Sequence, residues 1–188
     1  GIGILVMTIA VLPVLQQLGT EVLDERPAEL TRTDGLRVHI YDFGLRLDDA
    51  TREAVADRSD AEIASGFCAS FRAAWTGEAE SDGFSALVLR AGLDWREVSM
   101  LRAYARYARQ LGSPYGHQYM ATTLLAHPTV ARSLVELFRA RFDPGLTGDR
   151  DAAIEQALAR VRDLIDAVHG LDADRILRGF LGMIERQG

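Results

Sequence analysis

Apolar positions change their spacing once along the chain. From Leu36 to Leu45 they alternate: Leu36, Val38 and Ile40 fall on one side, and Arg37, His39, Tyr41 and Phe43 on the other. That two-residue period predicts a strand. Thr20–Leu30 reads as its partner, Asp34-Gly35 as the hairpin turn between them, and Pro27 as a mark of an edge or a strand end. Upstream, Ile4–Met7 predicts a short strand and Ala10–Leu18 a helix with Leu12, Leu15 and Leu18 on one face. Gly19 stops that helix, and Pro13 fits it only near a first turn. Residues 1–47 thus read β-α-β-β, a small sheet domain that is incomplete by itself.

From Asp48 onward the period is helical. Asp48–Gly77 carries Ile63, Phe67, Phe71 and Trp75 at four-residue steps, an expected core-facing stripe. Asp82 caps a short helix over Phe84–Ala91 that Gly92 closes. Asp94 followed by Glu97 forms a capping box, so a helix starts at Trp95. On it Val98, Leu101, Tyr104, Ala105, Ala108 and Leu111 share one side, with Met100 and Tyr107 at the edge. That arc is wider than the ~100° stripe of a surface helix and places this helix inside a bundle. Further helices are expected around His117–Ala126, from Pro128 to Phe142, along the stripe Ile154, Leu158, Val161, Ile165 and Val168, and after an Asp172 cap. The fold class expected is α+β, predominantly helical, with residues 48–188 a bundle of about six helices.

Composition removes whole classes of chemistry. All 21 basic residues are Arg, so there is no Schiff-base amine and no P-loop lysine. A net charge of -6 argues against nucleic acid or an anionic membrane as partner. The single cysteine, Cys68, is expected to be a buried, inert thiol in a reducing compartment. The apolar run Ile4–Leu15 is preceded by no basic residue and is shorter than the ~20 residues of a membrane span, which points to the cytoplasm. Gly1-Ile2-Gly3 precedes the first expected strand, and no third glycine opens a helix, so the dinucleotide fingerprint is absent. His39, His117, His127 and His169 lie in four elements without ligand-spaced neighbours, so they are expected to be solvated or hydrogen-bonded and no metal is expected.

The most specific polar pattern is Arg102, Arg106 and Arg109, three guanidiniums within about 60° of one helix face. They repel one another unless anions are supplied. Three suppliers are open: carboxylates of the bundle itself (Glu78, Glu80 and Asp82), an acidic element across a domain boundary, or a small carboxylate or phosphate ligand. If the first holds, charge reversal at Glu80 or Asp82 is strongly destabilising. Arg132/Glu136, Arg162/Asp166 and Asp174/Arg178 are expected as (i, i+4) surface pairs.

Four strings resemble one family. They are Asp24-Glu25-Arg26-Pro27, His39-Ile40-Tyr41-Asp42-Phe43-Gly44-Leu45, the block Glu80–Gln110, and Leu171-Asp172-Ala173-Asp174-Arg175-Ile176-Leu177-Arg178. In that order they are similar to the region upstream of the catalytic core in the large bacterial NAD-dependent glutamate dehydrogenases. The resemblance implies that residues 1–47 are a partial ACT-like module and residues 48–188 a helical domain. It implies a parent enzyme, a homo-oligomer, that oxidises L-glutamate to 2-oxoglutarate and ammonium with NAD. No catalytic residue and no cofactor contact carries over to this chain, which implies a regulatory or architectural segment whose partner is the remainder of the parent chain. Amino-acid sensing by the ACT-like part, or a role as a pure interaction module, is the alternative. Sensing ACT modules usually place a glycine after the first strand, and none lies between Gly3 and Gly19.

Overall fold

The computed structural model describes the backbone of residues 2–187 and the side chains of residues 10–187. Among them, helix α1 (Ile2–Gln17) leads into a hairpin of β1 (Thr20–Thr31) and β2 (Arg37–Leu47). Helices follow: α2 (Asp49–Ala54), α3 (Asp60–Trp75), α4 (Leu87–Arg90), α5 (Trp95–Gln110), α6 (His117–Ala126), α7 (Pro128–Phe142), α8 (Arg150–Asp166) and α9 (Leu171–Arg186). The class is α+β and mostly helical, as the spacing predicts.

The strand expected at Ile4–Met7 is instead part of α1, which runs unbroken through Pro13. Pro13 therefore lies in the helix interior and not in a first turn. A short apolar run has no period of its own, so sequence alone does not separate strand from helix there. Gly19 ends α1 as expected, with φ 88° and its amide donating to the Gln16 carbonyl at 3.0 Å.

The hairpin closes at Gly35, φ 84°, whose amide donates to the Arg32 carbonyl at 2.9 Å. Register runs antiparallel from Thr31 opposite Arg37 to Thr20 opposite Leu47, with an irregularity between Val22 and Asp24. Tyr41, Phe43 and Leu45 turn one face toward Val11 and Leu15 of α1 and Phe67 and Phe71 of α3. The other face is bare, with Leu30 55 %, Val38 37 % and Ile40 48 % exposed. Alternation fixed which residues share a face but not which face would be covered.

The stretch expected as one helical region over Asp48–Gly77 divides in two. Ser59 and Glu62 cap α3 reciprocally. Its core-facing side chains are Ser70 and Ala73, whereas Phe67 and Phe71 are half-buried and Trp75 is exposed. The aromatic stripe is thus not core-facing: α3 stands at the margin of the bundle and lines the groove under the sheet. For the same reason Cys68 is exposed, not buried.

α5 begins as predicted, the Asp94 carboxylate accepting from the Arg96 and Glu97 amides while Glu97 accepts from the Asp94 amide at 2.8 Å. Asp94→Ala is expected to cost about 1 kcal/mol, the usual value of an N-cap, and to lower Tm accordingly. Val98, Leu101, Tyr104 and Ala105 are buried, but the covered arc stops early, leaving Tyr107 43 % and Leu111 60 % exposed. α3, α4, α6, α7 and α9 pack against this helix, α8 packs on α7 and α9, and Phe84, Leu124, Leu134, Ile165 and Leu177 complete the core. The last helix is not capped by Asp172: Gly170 occupies the cap with φ 118°, and Asp172 accepts from the Tyr115 hydroxyl at 2.9 Å.

Arginine does the work of closing helix ends. Arg58 and Arg132 donate to the Leu89 and Ala91 carbonyls at the end of α4, both at 2.8 Å. Arg150 reaches the Ala140, Arg141 and Asp143 carbonyls at the end of α7. A planar fork of five donors suits several carbonyls at once. Of the expected (i, i+4) pairs only Asp174/Arg178 forms, at 2.9 Å. Arg132 is drawn to a main-chain carbonyl, and Arg162 pairs with Glu185 across α8 and α9 at 2.6 Å. Partners on a neighbouring helix outcompete those on the same one, which a one-helix projection does not show. Among the described residues no helix is long and apolar enough to cross a membrane.

Candidate functional site

The three arginines of α5 meet three different fates. Arg102 is 4 % exposed, and each of its three guanidinium nitrogens donates a hydrogen bond within the fold. Nε and Nη2 donate to the two Asp82 carboxylate oxygens at 2.8 and 2.9 Å. Nη2 also donates to the Glu80 carbonyl at 3.1 Å and the Ser85 hydroxyl at 3.4 Å, and Nη1 to the Ser99 hydroxyl at 3.3 Å. Arg106 forms a two-pronged pair with Glu80 in which both side chains stay more than half exposed. Arg109 donates to the carbonyls of Ser113 and Tyr115, at 3.3 and 3.4 Å, tying down the connector after α5.

The segment before α4 is shaped to present Asp82. Its Oδ1 accepts from the Phe84 amide at 3.0 Å, and the Asp82 amide donates to Ser85 Oγ at 3.2 Å. Its Oδ2 also meets His117 Nε2 at 3.1 Å, at the start of α6. The His117 ring lies 4.8 Å from the ring of Phe84, which is completely buried. One carboxylate thus joins the loop, α5 and α6. Nothing in the sequence pointed to His117, since a lone histidine after Gly116 has no spacing relation to Asp82.

Burial alone would raise the Asp82 carboxyl, but hydrogen bonds from Arg102 and His117 and the Arg102 charge hold it below the usual range. The Arg106 guanidinium lowers Glu80. Burial pushes Glu97 the other way, upward, despite the Asp94 amide and Arg139 at 2.5 Å. In Asp82, hydrogen bonds and charge outweigh desolvation; in Glu97, they do not.

The arrangement is that of a fastener. Arg102 turns Nε and Nη2 onto Asp82 and the Glu80 carbonyl, and Asp82 already accepts four hydrogen bonds. Glu78, the third expected acid, lies outside this network and accepts from the Thr76 hydroxyl at 3.1 Å. His39 is exposed on β2 and His127 precedes α7, so the histidines do not converge. Among the described residues no group of three or more His, Cys, Asp and Glu is placed to hold a metal. Among the described residues the sheet is one antiparallel hairpin, without the parallel βαβ crossover whose glycine turn receives a pyrophosphate in dinucleotide-binding folds.

Comparison with known proteins places the chain. Residues 6–59 match the family model described as glutamate dehydrogenase, ACT3 domain, and residues 79–144 the model described as glutamate dehydrogenase, helical motif 3. An NAD-specific glutamate dehydrogenase of Mycobacterium tuberculosis is 45 % identical over 177 residues, covering 93 % of this chain and 11 % of that protein. Counterparts from Halomonas elongata and Pseudomonas aeruginosa are 40 % identical over 176 residues and 37 % over 187, again covering 93 % of this chain and 10 % and 11 % of those proteins. The chain spans about a tenth of the length of these relatives. It belongs to the NAD-specific glutamate dehydrogenase family, as a segment in which an ACT-type region precedes a helical one in a much larger polypeptide.

Proposed function

We propose that this chain is a non-catalytic, architectural segment of a cytoplasmic, homo-oligomeric NAD-dependent glutamate dehydrogenase. The parent enzyme converts L-glutamate, NAD and water to 2-oxoglutarate, ammonium and NADH; the dinucleotide and the catalytic groups belong to other parts of it. Residues 1–47 act as a partial ACT-like module and residues 48–188 as a helical domain, and the remainder of the parent chain is their partner. The observation that carries this is the use made of Arg102, whose Nε and Nη2 donors join the loop before α4 to α5 while Nη1 bonds Ser99 on α5 itself. A cluster built for chemistry keeps a donor or acceptor free for its substrate. The half-bare hairpin supports a partner within the parent, because two strands with one apolar face open are marginal in water.

Calorimetric titration tests this. The folded chain, verified by its helical circular dichroism, is expected to give no heat of NAD binding and no glutamate-dependent NADH. Saturable NAD binding or turnover would overturn it.

A further inference from the structure

A groove of about 320 Å³ runs between the end of α5, the connector after it and the outer side of α9. Its floor and walls are apolar, made by Met120, Ile176, Phe180 and Met183, with the exposed Leu111 at its lip. Its charged lining residues are Arg175 and Arg186, both exposed; no carboxylate lines it. Among the described residues neither arginine forms an ion pair, in a chain with 27 acidic residues against 21 arginines. Most other arginines of the helical part have found a carboxylate or a carbonyl. Here Arg175 bonds only the Tyr115 side chain and Arg186 meets no acid, and the two stand at the ends of an open apolar trough.

We propose that this groove receives an acidic amphipathic helix from the parent polypeptide outside these 188 residues. The inference rests on the architectural role proposed above and names the surface that performs it. Charge sets the chemistry of the occupant: its apolar side fills the trough, and its carboxylates meet Arg175 and Arg186. The two arginines are eleven positions apart on α9. At 1.5 Å per residue that separation is about 16 Å, so the occupant is a helix of roughly three turns with acids toward both ends. Gly179 lies between them, and a Cβ there would meet nothing within 4 Å, so an incoming helix can approach the α9 backbone closely. There is ample chain to supply it, since relatives extend over about nine times this length.

The test uses the full-length parent protein carrying Leu111→Cys at the lip of the groove, with a thiol-reactive photo-crosslinker as probe and peptide mass spectrometry as readout. Leu111 is 60 % exposed, so the substitution itself leaves the fold intact. Labelling of this site in the native protein is expected to be at least about tenfold slower than in denaturant, because it must await local opening. Adding Arg175→Glu and Arg186→Glu is expected to abolish that protection while the melting temperature of α9-containing fragments stays unchanged. Probe attached before refolding is expected to crosslink to a peptide outside this segment that is rich in Asp and Glu. Fast labelling of the native protein, or a crosslink to this same segment in a second copy, overturns the proposal. Neither result touches the non-catalytic role, which the NAD titration reads separately.

Discussion

Asp82→Ala lowers the stability of the chain by about 3 kcal/mol, the lower end of the range for removing one partner of a buried ion pair. The lower end is expected because the Asp82 side chain keeps 23 % of its surface in solvent while that of Arg102 keeps 5 %. The cost comes from leaving a guanidinium charge buried with only neutral acceptors. Arg102→Met combined with Asp82→Leu removes both charges, so the double variant should be much closer to the parent than the sum of single losses. Glu80→Ala provides the contrast: its pair with Arg106 is exposed on both sides and is worth at most about 1 kcal/mol. Urea unfolding of the three variants checks the ranking. The sign of the acid response follows from the same site. Asp82 is depressed in the folded chain, so its contribution is complete above the unfolded value near 3.9 and is lost as pH falls through the folded one. Asp82→Asn should therefore flatten the loss of stability below about pH 4.

Phe84→Ala is expected to cost about 3–5 kcal/mol, because the ring is wholly buried and its loss leaves a cavity among α4, α5 and α6. It also removes the surface on which the His117 ring rests, 4.8 Å away, so the Asp82–His117 contact loosens with it. Phe71→Ala on α3, half-buried at the margin, should cost clearly less. Equal losses at the two positions would mean that the core is not centred where the burial places it.

The elements after Asp94 were legible because their signals are local. A capping box, a proline at the start of α7 and glycines at helix ends each act within one turn, and α5, α6 and α7 begin and end where those residues predict. What failed depended on distant partners. The stripe Ile63, Phe67, Phe71 and Trp75 has helical spacing, yet spacing does not tell a main core from the wall of a groove. Asp82 and Glu80 looked equivalent from their separation to α5, but the loop turns one carboxylate inward and leaves the other in solvent. Charge reversal at Glu80 is for that reason no longer expected to be severe. His117 and the carbonyl-seeking arginines Arg58, Arg132 and Arg150 were invisible in advance, since a main-chain acceptor leaves no mark in a sequence.

The most direct test is steady-state kinetics of the full-length parent enzyme carrying Asp82→Asn, normalised to folded protein and paired with its melting curve. A segment that supports without reacting predicts a lower Tm with kcat and the KM values for glutamate and NAD unchanged per folded molecule. An altered KM or kcat at unchanged Tm would contradict it.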